Sequence, residues 1–96
     1  MYDYTGWIVQ ATAGRDRDGI FCVVGVEQGQ QRLLLADGKR RKASRPKRKK
    51  LGHVKPLTDG PDGFDHPAIQ KLRQGEALSD RELRRALAAF RDQLEV

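Results

Sequence analysis

Apolar residues come in short alternating runs over the first half of the chain and in a helical rhythm over the last third. Gly6 to Ala13, "GWIVQATA", sets Trp7, Val9, Ala11 and Ala13 against Ile8, Gln10 and Thr12, the period-two pattern of a strand. The glycine-bounded polar stretch "GRDRDG" follows as a turn. "IFCVVGVEQ" predicts a second strand, apolar on both faces at its start. "QGQ" is a short hairpin connection in which Gly29 accepts positive φ, and "QRLLLA" is a third strand. Asp37-Gly38 is a tight-turn dipeptide, so "KRRKA" is expected to turn straight back as a fourth strand. "SRPKRKK" reads as a loop around Pro46, and "LGHVKPL" as a fifth strand that stops at Pro56 and a "TDGPDG" linker. Five short strands with tight turns suit a small, strongly bent antiparallel barrel over residues 1–58.

Beyond a linker at 59–64 the rhythm changes. "DHPAIQKLRQG" predicts a short helix with Asp65 as N-cap, Pro67 in the first turn and Gly75 as its stop. In "SDRELRRALAAFRDQLEV", Ser79 and Glu82 form a capping box ahead of an apolar stripe, Leu83, Leu87, Phe90 and Leu94. The class expected is therefore mainly β, with two helices as a C-terminal appendage over 65–96. The stripe has to be covered, by the rest of the chain or by a protein partner at the C-terminal helix.

Charge changes this picture more than composition does. The chain has 96 residues and a net charge of +6. Ten of its nineteen Lys and Arg lie between Lys39 and Lys55, a segment with no acid, which leaves nine against thirteen acids elsewhere, a balance of −4. The cations of that segment are Lys39, Arg40, Arg41, Lys42, Arg45, Lys47, Arg48, Lys49, Lys50 and Lys55. A localised polycation points to nucleic acid, through phosphate contacts that supply affinity with little sequence readout. A solvated run or a nuclear-localisation tract is the simpler alternative. Anchorage between a tight turn and a following strand argues for an aimed surface. Arg15 and Arg17 in the first turn extend it if that turn shares the rim.

Catalytic chemistry finds no carrier. His53, His66 and Cys22 match no zinc-ligand spacing, and neither a metal nor a cofactor is expected. Ser44 has no evident base and Ser79 is accounted for as a cap. "GRDRDG" leads into a strand, so it lacks the helix N-terminus of a phosphate-cradling loop. A non-enzyme is expected. The lone Cys22 lies in an apolar run, which reads as a core thiol in a reducing cytoplasm. The N-terminus has no basic leader or apolar core of a signal peptide, and no stretch has the length of a membrane span. A monomer without membrane attachment is expected.

"GWIVQATAGRDRDGIFCVVGV" resembles a KOW motif, with Gly14 and Gly19 at the glycines that flank the family's turn. "LLLADGKRRKASRPKRKKLGHVKPL" resembles the corresponding segment of the ribosomal protein L14e/L6e/L27e family and of small bacterial KOW proteins related to it. "EALSDRELRRALAAF" is similar to the C-terminal helix of some members. The resemblance spans most of the chain. It implies an SH3-like barrel that binds RNA, usually ribosomal RNA, in translation. It carries RNA contacts onto Arg15, onto Lys39, Arg40, Arg41 and Lys42, onto Arg45, Lys47, Arg48, Lys49 and Lys50, and onto His53. The glycine turn departs from the family by one extra residue and by Asp16 and Asp18, which dilute its charge. "GHV" also departs from the commoner residues around the histidine. KOW domains occur in transcription elongation as well, which keeps open an interaction module working through the helix stripe.

Overall fold

The computed structural model describes residues 4–27, 29, 31–58 and 64–94. Five strands form one antiparallel sheet: β1 (Ile8–Ala11), β2 (Ile20–Glu27), β3 (Arg32–Ala36), β4 (Lys47–Lys50) and β5 (Val54–Pro56). Two helices follow, α1 (Pro67–Arg73) and α2 (Asp80–Leu94). The strand order is β4-β3-β2-β1-β5, so consecutive strands pair and the last returns to the first. The closed barrel expected from the strand pattern is not formed. The edge strands β4 and β5 share no ladder. Each is only three or four residues long, and a single 3-10 turn, Leu51–His53, leads from one to the other.

Both faces of the sheet are buried, which explains the doubly apolar start of β2. One face gathers Val9, Ala11, Phe21, Val23, Leu33, Leu35 and Val54. The other, carrying Ile8, Cys22 and Ala36, packs against Phe64, Ile69, Leu72, Leu78, Leu83, Leu87 and Phe90. A β-bulge between Val23 and Gly25 shifts the β2–β3 register, a device that bends the strand and sharpens its twist.

The helices are therefore not an appendage. Ile69, Leu72, Leu83, Leu87 and Phe90 are each at least nine-tenths buried. At roughly 1.5–3 kcal/mol per large apolar side chain, they contribute on the order of 10 kcal/mol. That rivals the whole net stability of a small domain. The stripe on α2 is covered from within, and only Leu94, 57% exposed, stands outside it. Of the two ways of covering the stripe, the rest of the chain covers Leu83, Leu87 and Phe90.

The capping box forms as expected: Glu82 N–H donates to Ser79 Oγ at 3.1 Å and Ser79 N–H to Glu82 Oε1 at 3.1 Å. The cap of α1 is His66 rather than Asp65. His66 Nδ1 accepts from Ala68 N–H at 3.1 Å, while Asp65 accepts from the Gln70 amide at 2.6 Å. Residues 59–63 of the expected linker, and Gln28 and Gln30 of the "QGQ" connection, lie outside the described residues. No helix among the described residues is long and apolar enough to cross a membrane.

Candidate nucleic-acid interface

The basic tract divides differently from its sequence pattern. "KRRKA" is not a strand, and the strand is "KRKK", β4, where a loop was expected. The cause lies in the Asp37-Gly38 pair. A two-residue hairpin turn of the favoured type needs positive φ at both positions, and here only Gly38 has it, at 79°. Asp37 closes a wider loop instead. Its Oδ1 accepts from Lys39 N–H and Arg41 N–H, both at 2.9 Å. The Asp37 and Gly38 amides in turn donate to the Arg41 carbonyl, each at 3.0 Å. Backbone groups that a strand would have offered to β3 are consumed within the loop.

The rest of this loop is fastened to α2. Asp80 Oδ1 accepts from Ala43 N–H at 2.7 Å, and the Gly38 carbonyl accepts from Arg84 Nη1 at 2.8 Å. Lys39, Arg40, Lys42 and Arg45 project from this pinned backbone and are exposed.

Asp16 joins the glycine turn to the same loop. It is buried, 6% exposed, and its Oδ2 accepts from Arg41 Nη2 at 2.8 Å. Burial alone would raise its pKa. The Arg41 hydrogen bond and charge, with Lys47 and Lys49 nearby, outweigh that and hold the carboxyl below its ordinary value. Asp16 therefore does not dilute the exposed charge of the turn, as its place in "GRDRDG" suggested. It points inward and organises cations, while Arg15 and Arg17 face solvent.

The twelve Lys and Arg and the one imidazole expected to touch RNA thus fall into three groups. Arg41 is committed to Asp16, and Lys49, 8% exposed, donates its Nζ to the Ala13 carbonyl at 2.6 Å. Both hold the fold together and are poorly placed to leave it. Arg48 is outward and largely exposed but pairs with Glu27 at 2.6 Å. Arg15, Arg17, Lys39, Arg40, Lys42, Arg45, Lys50, His53 and Lys55 are exposed, and Lys47 is half-buried. His53 lies in the 3-10 turn rather than in the last strand, its carbonyl accepting from Thr12 N–H at 2.9 Å. With Lys50 and Arg32 it lines a hollow of about 300 Å³.

Further cations escape a reading of the basic run alone. Arg81, Arg84 and Arg85 are exposed on the first turns of α2. Their i, i+3, i+4 spacing was legible as one helix face. The Arg84–Gly38 and Asp80–Ala43 contacts set that end of the helix beside the loop. Arg32, across from Lys50 in the β3–β4 ladder, is another.

Chemically the surface is an array of permanent charges. Among the described residues no three His, Cys, Asp or Glu side chains group so as to hold a metal ion. Cys22 is fully buried, and burial pushes its thiol up to about 12. No protein-family model matches the chain, and no curated protein matches it.

Proposed function

We propose that this protein binds RNA through the phosphate backbone, using a rim made of the glycine turn, the 37–46 loop and the outer residues of β4. The observation that carries the reading is the pinned loop: exposed Lys39, Arg40, Lys42 and Arg45 stand on a backbone tied to Asp37, Asp80 and Arg84. Cations held this way dock on phosphates without the ordering cost of a disordered tail. The resemblance to KOW proteins of the ribosomal protein L14e/L6e/L27e family supports the same ligand. So does a sheet of five short strands whose last strand returns to the first, read as an SH3-like unit left open at its edges. On this reading the protein is a non-enzymatic, cytoplasmic RNA-binding component of the translation apparatus, with ribosomal RNA as its target.

The test is a salt titration of RNA binding. If roughly six to eight phosphates are neutralised, the logarithm of affinity falls against the logarithm of salt with a slope of about −4 to −6 on single strands. Arg40→Gln, Lys42→Gln and Arg45→Gln combined flatten that slope by about two units and leave the circular dichroism spectrum unchanged. No binding at low salt, or a slope indifferent to these substitutions, refutes the reading. Retention on ribosomal subunits and release by high salt would then separate ribosomal from other RNA.

A further inference from the structure

A cleft of about 880 Å³ opens beside the basic loop. Val24 and Leu34 of the sheet line it, with Trp7, Ala43, Pro46 and Leu78 around them. The end of α1, with Gln70 and Arg73, and the connector to α2, with Gln74, Glu76 and Ala77, supply most of the rest of the wall. Its volume falls within the roughly 300–1,000 Å³ of small-ligand sites. Apolar and aromatic side chains meet amide and carboxylate groups there, the kinds that stack on a base and read its edges.

The edge of the cleft is cationic. Ala43 and Pro46 alternate along the chain with Lys42, Arg45 and Lys47. Arg48, two-thirds exposed, stands across the β3–β4 ladder from Leu34. An occupant must carry flat apolar groups on a polyanionic backbone. A duplex keeps its bases stacked inside and cannot offer them, whereas a single strand can splay one out.

We propose that this cleft receives an unstacked base of single-stranded RNA, whose flanking phosphates run along the basic loop. The inference rests on the RNA reading above and narrows the target to loops, bulges or ends. Trp7, the single tryptophan of the chain, borders the cleft while its ring packs edge-to-face on Tyr4, so its emission responds to changes at that border.

The experiment titrates the full chain at low salt with a labelled oligouridylate and with a labelled blunt RNA duplex. Anisotropy and Trp7 fluorescence are followed together. The single strand is expected to quench Trp7 with the midpoint seen by anisotropy, and the duplex is expected to leave the emission unchanged. Ala77→Phe fills the cleft from an exposed position. It should weaken the single strand on the order of tenfold, the loss of about one stacked base, and leave the duplex unaffected. Binding of both RNAs with Trp7 emission unchanged at saturation, or an Ala77→Phe variant with wild-type single-strand affinity, overturns the inference alone. Binding of neither RNA overturns the RNA reading and the inference with it.

Discussion

Asp16→Asn is the most informative single change, because the carboxylate joins two segments of the proposed interface. It keeps the size of the side chain and removes its charge. Arg41 then faces an amide from a site in which its side chain is only a third exposed. A hydrogen bond to a charged partner contributes roughly 1.5–3 kcal/mol net. Two features push toward the lower end: Arg41 retains partial access to water, and its Nε is buried without a partner among the described residues. A loss of about 1–2 kcal/mol is expected, or about 4–16 °C in Tm for a domain of this size. The pH dependence carries a second signature. The folded-state pKa of Asp16 lies below its ordinary value of 3.8, so its contribution is present in full above that value. It is lost as pH falls through the depressed folded pKa. Glu82 is also held below its ordinary value, first by its hydrogen bond from Lys71, but that pair is present in both proteins and cancels in the difference. Urea denaturation of wild type and variant at neutral and acid pH measures both effects. Wild type should lose its advantage as the medium is acidified. A variant equal to wild type at pH 7, or a gap that persists unchanged in acid, refutes the assignment of Asp16 as the tie.

Three further outcomes follow from the same contacts. Gly38→Ala places a side chain at φ 79° and drives its Cβ into the Asp80 carbonyl oxygen; a destabilisation of more than about 2 kcal/mol and weaker RNA binding are expected, measured by denaturant midpoint and by anisotropy. Phe90→Ala empties a core position 2% exposed and removes the edge-to-face contact with Phe64; a loss of about 3–5 kcal/mol seen by loss of cooperative unfolding in the sheet itself would show that helices and sheet share one core, and a near-neutral effect would contradict it. Lys49→Gln and Lys50→Gln separate the two kinds of cation. The first should lower thermal stability by removing the Nζ bond to Ala13, whereas the second should lower RNA affinity with Tm unchanged, and a swap of these phenotypes would overturn the division drawn here.

The elements were legible where a local signal agreed with what the rest of the fold required. The alternation in "GWIVQATA" and "IFCVVGV", the Ser79–Glu82 box and the Leu83/Leu87/Phe90 stripe all became the expected strands and helix. The basic tract was misread because its local signals conflict. Asp37-Gly38 favours a hairpin, but Asp37 also caps its own loop, and α2 competes for the backbone of Gly38 and Ala43. A partner more than thirty-five residues away in the chain leaves no trace in a local window. "KRKK" could not be recognised as a strand because an edge strand with one partner has no need of an apolar face.

From the sequence alone come β1, β2, β3 and the two helices, the localisation of positive charge between Lys39 and Lys55, and the buried character of Cys22, because periodicity, net charge and side-chain hydrophobicity are local properties. Tertiary structure decided which charges are free. Arg41 and Lys49 are chemically like their neighbours, and only the approach of Asp16 and the Ala13 carbonyl commits their charged groups to contacts within the fold. It also decided that α2 holds the loop and adds Arg81, Arg84 and Arg85 beside it, since burial of the apolar stripe fixes which helix face turns inward and so which arginines turn out.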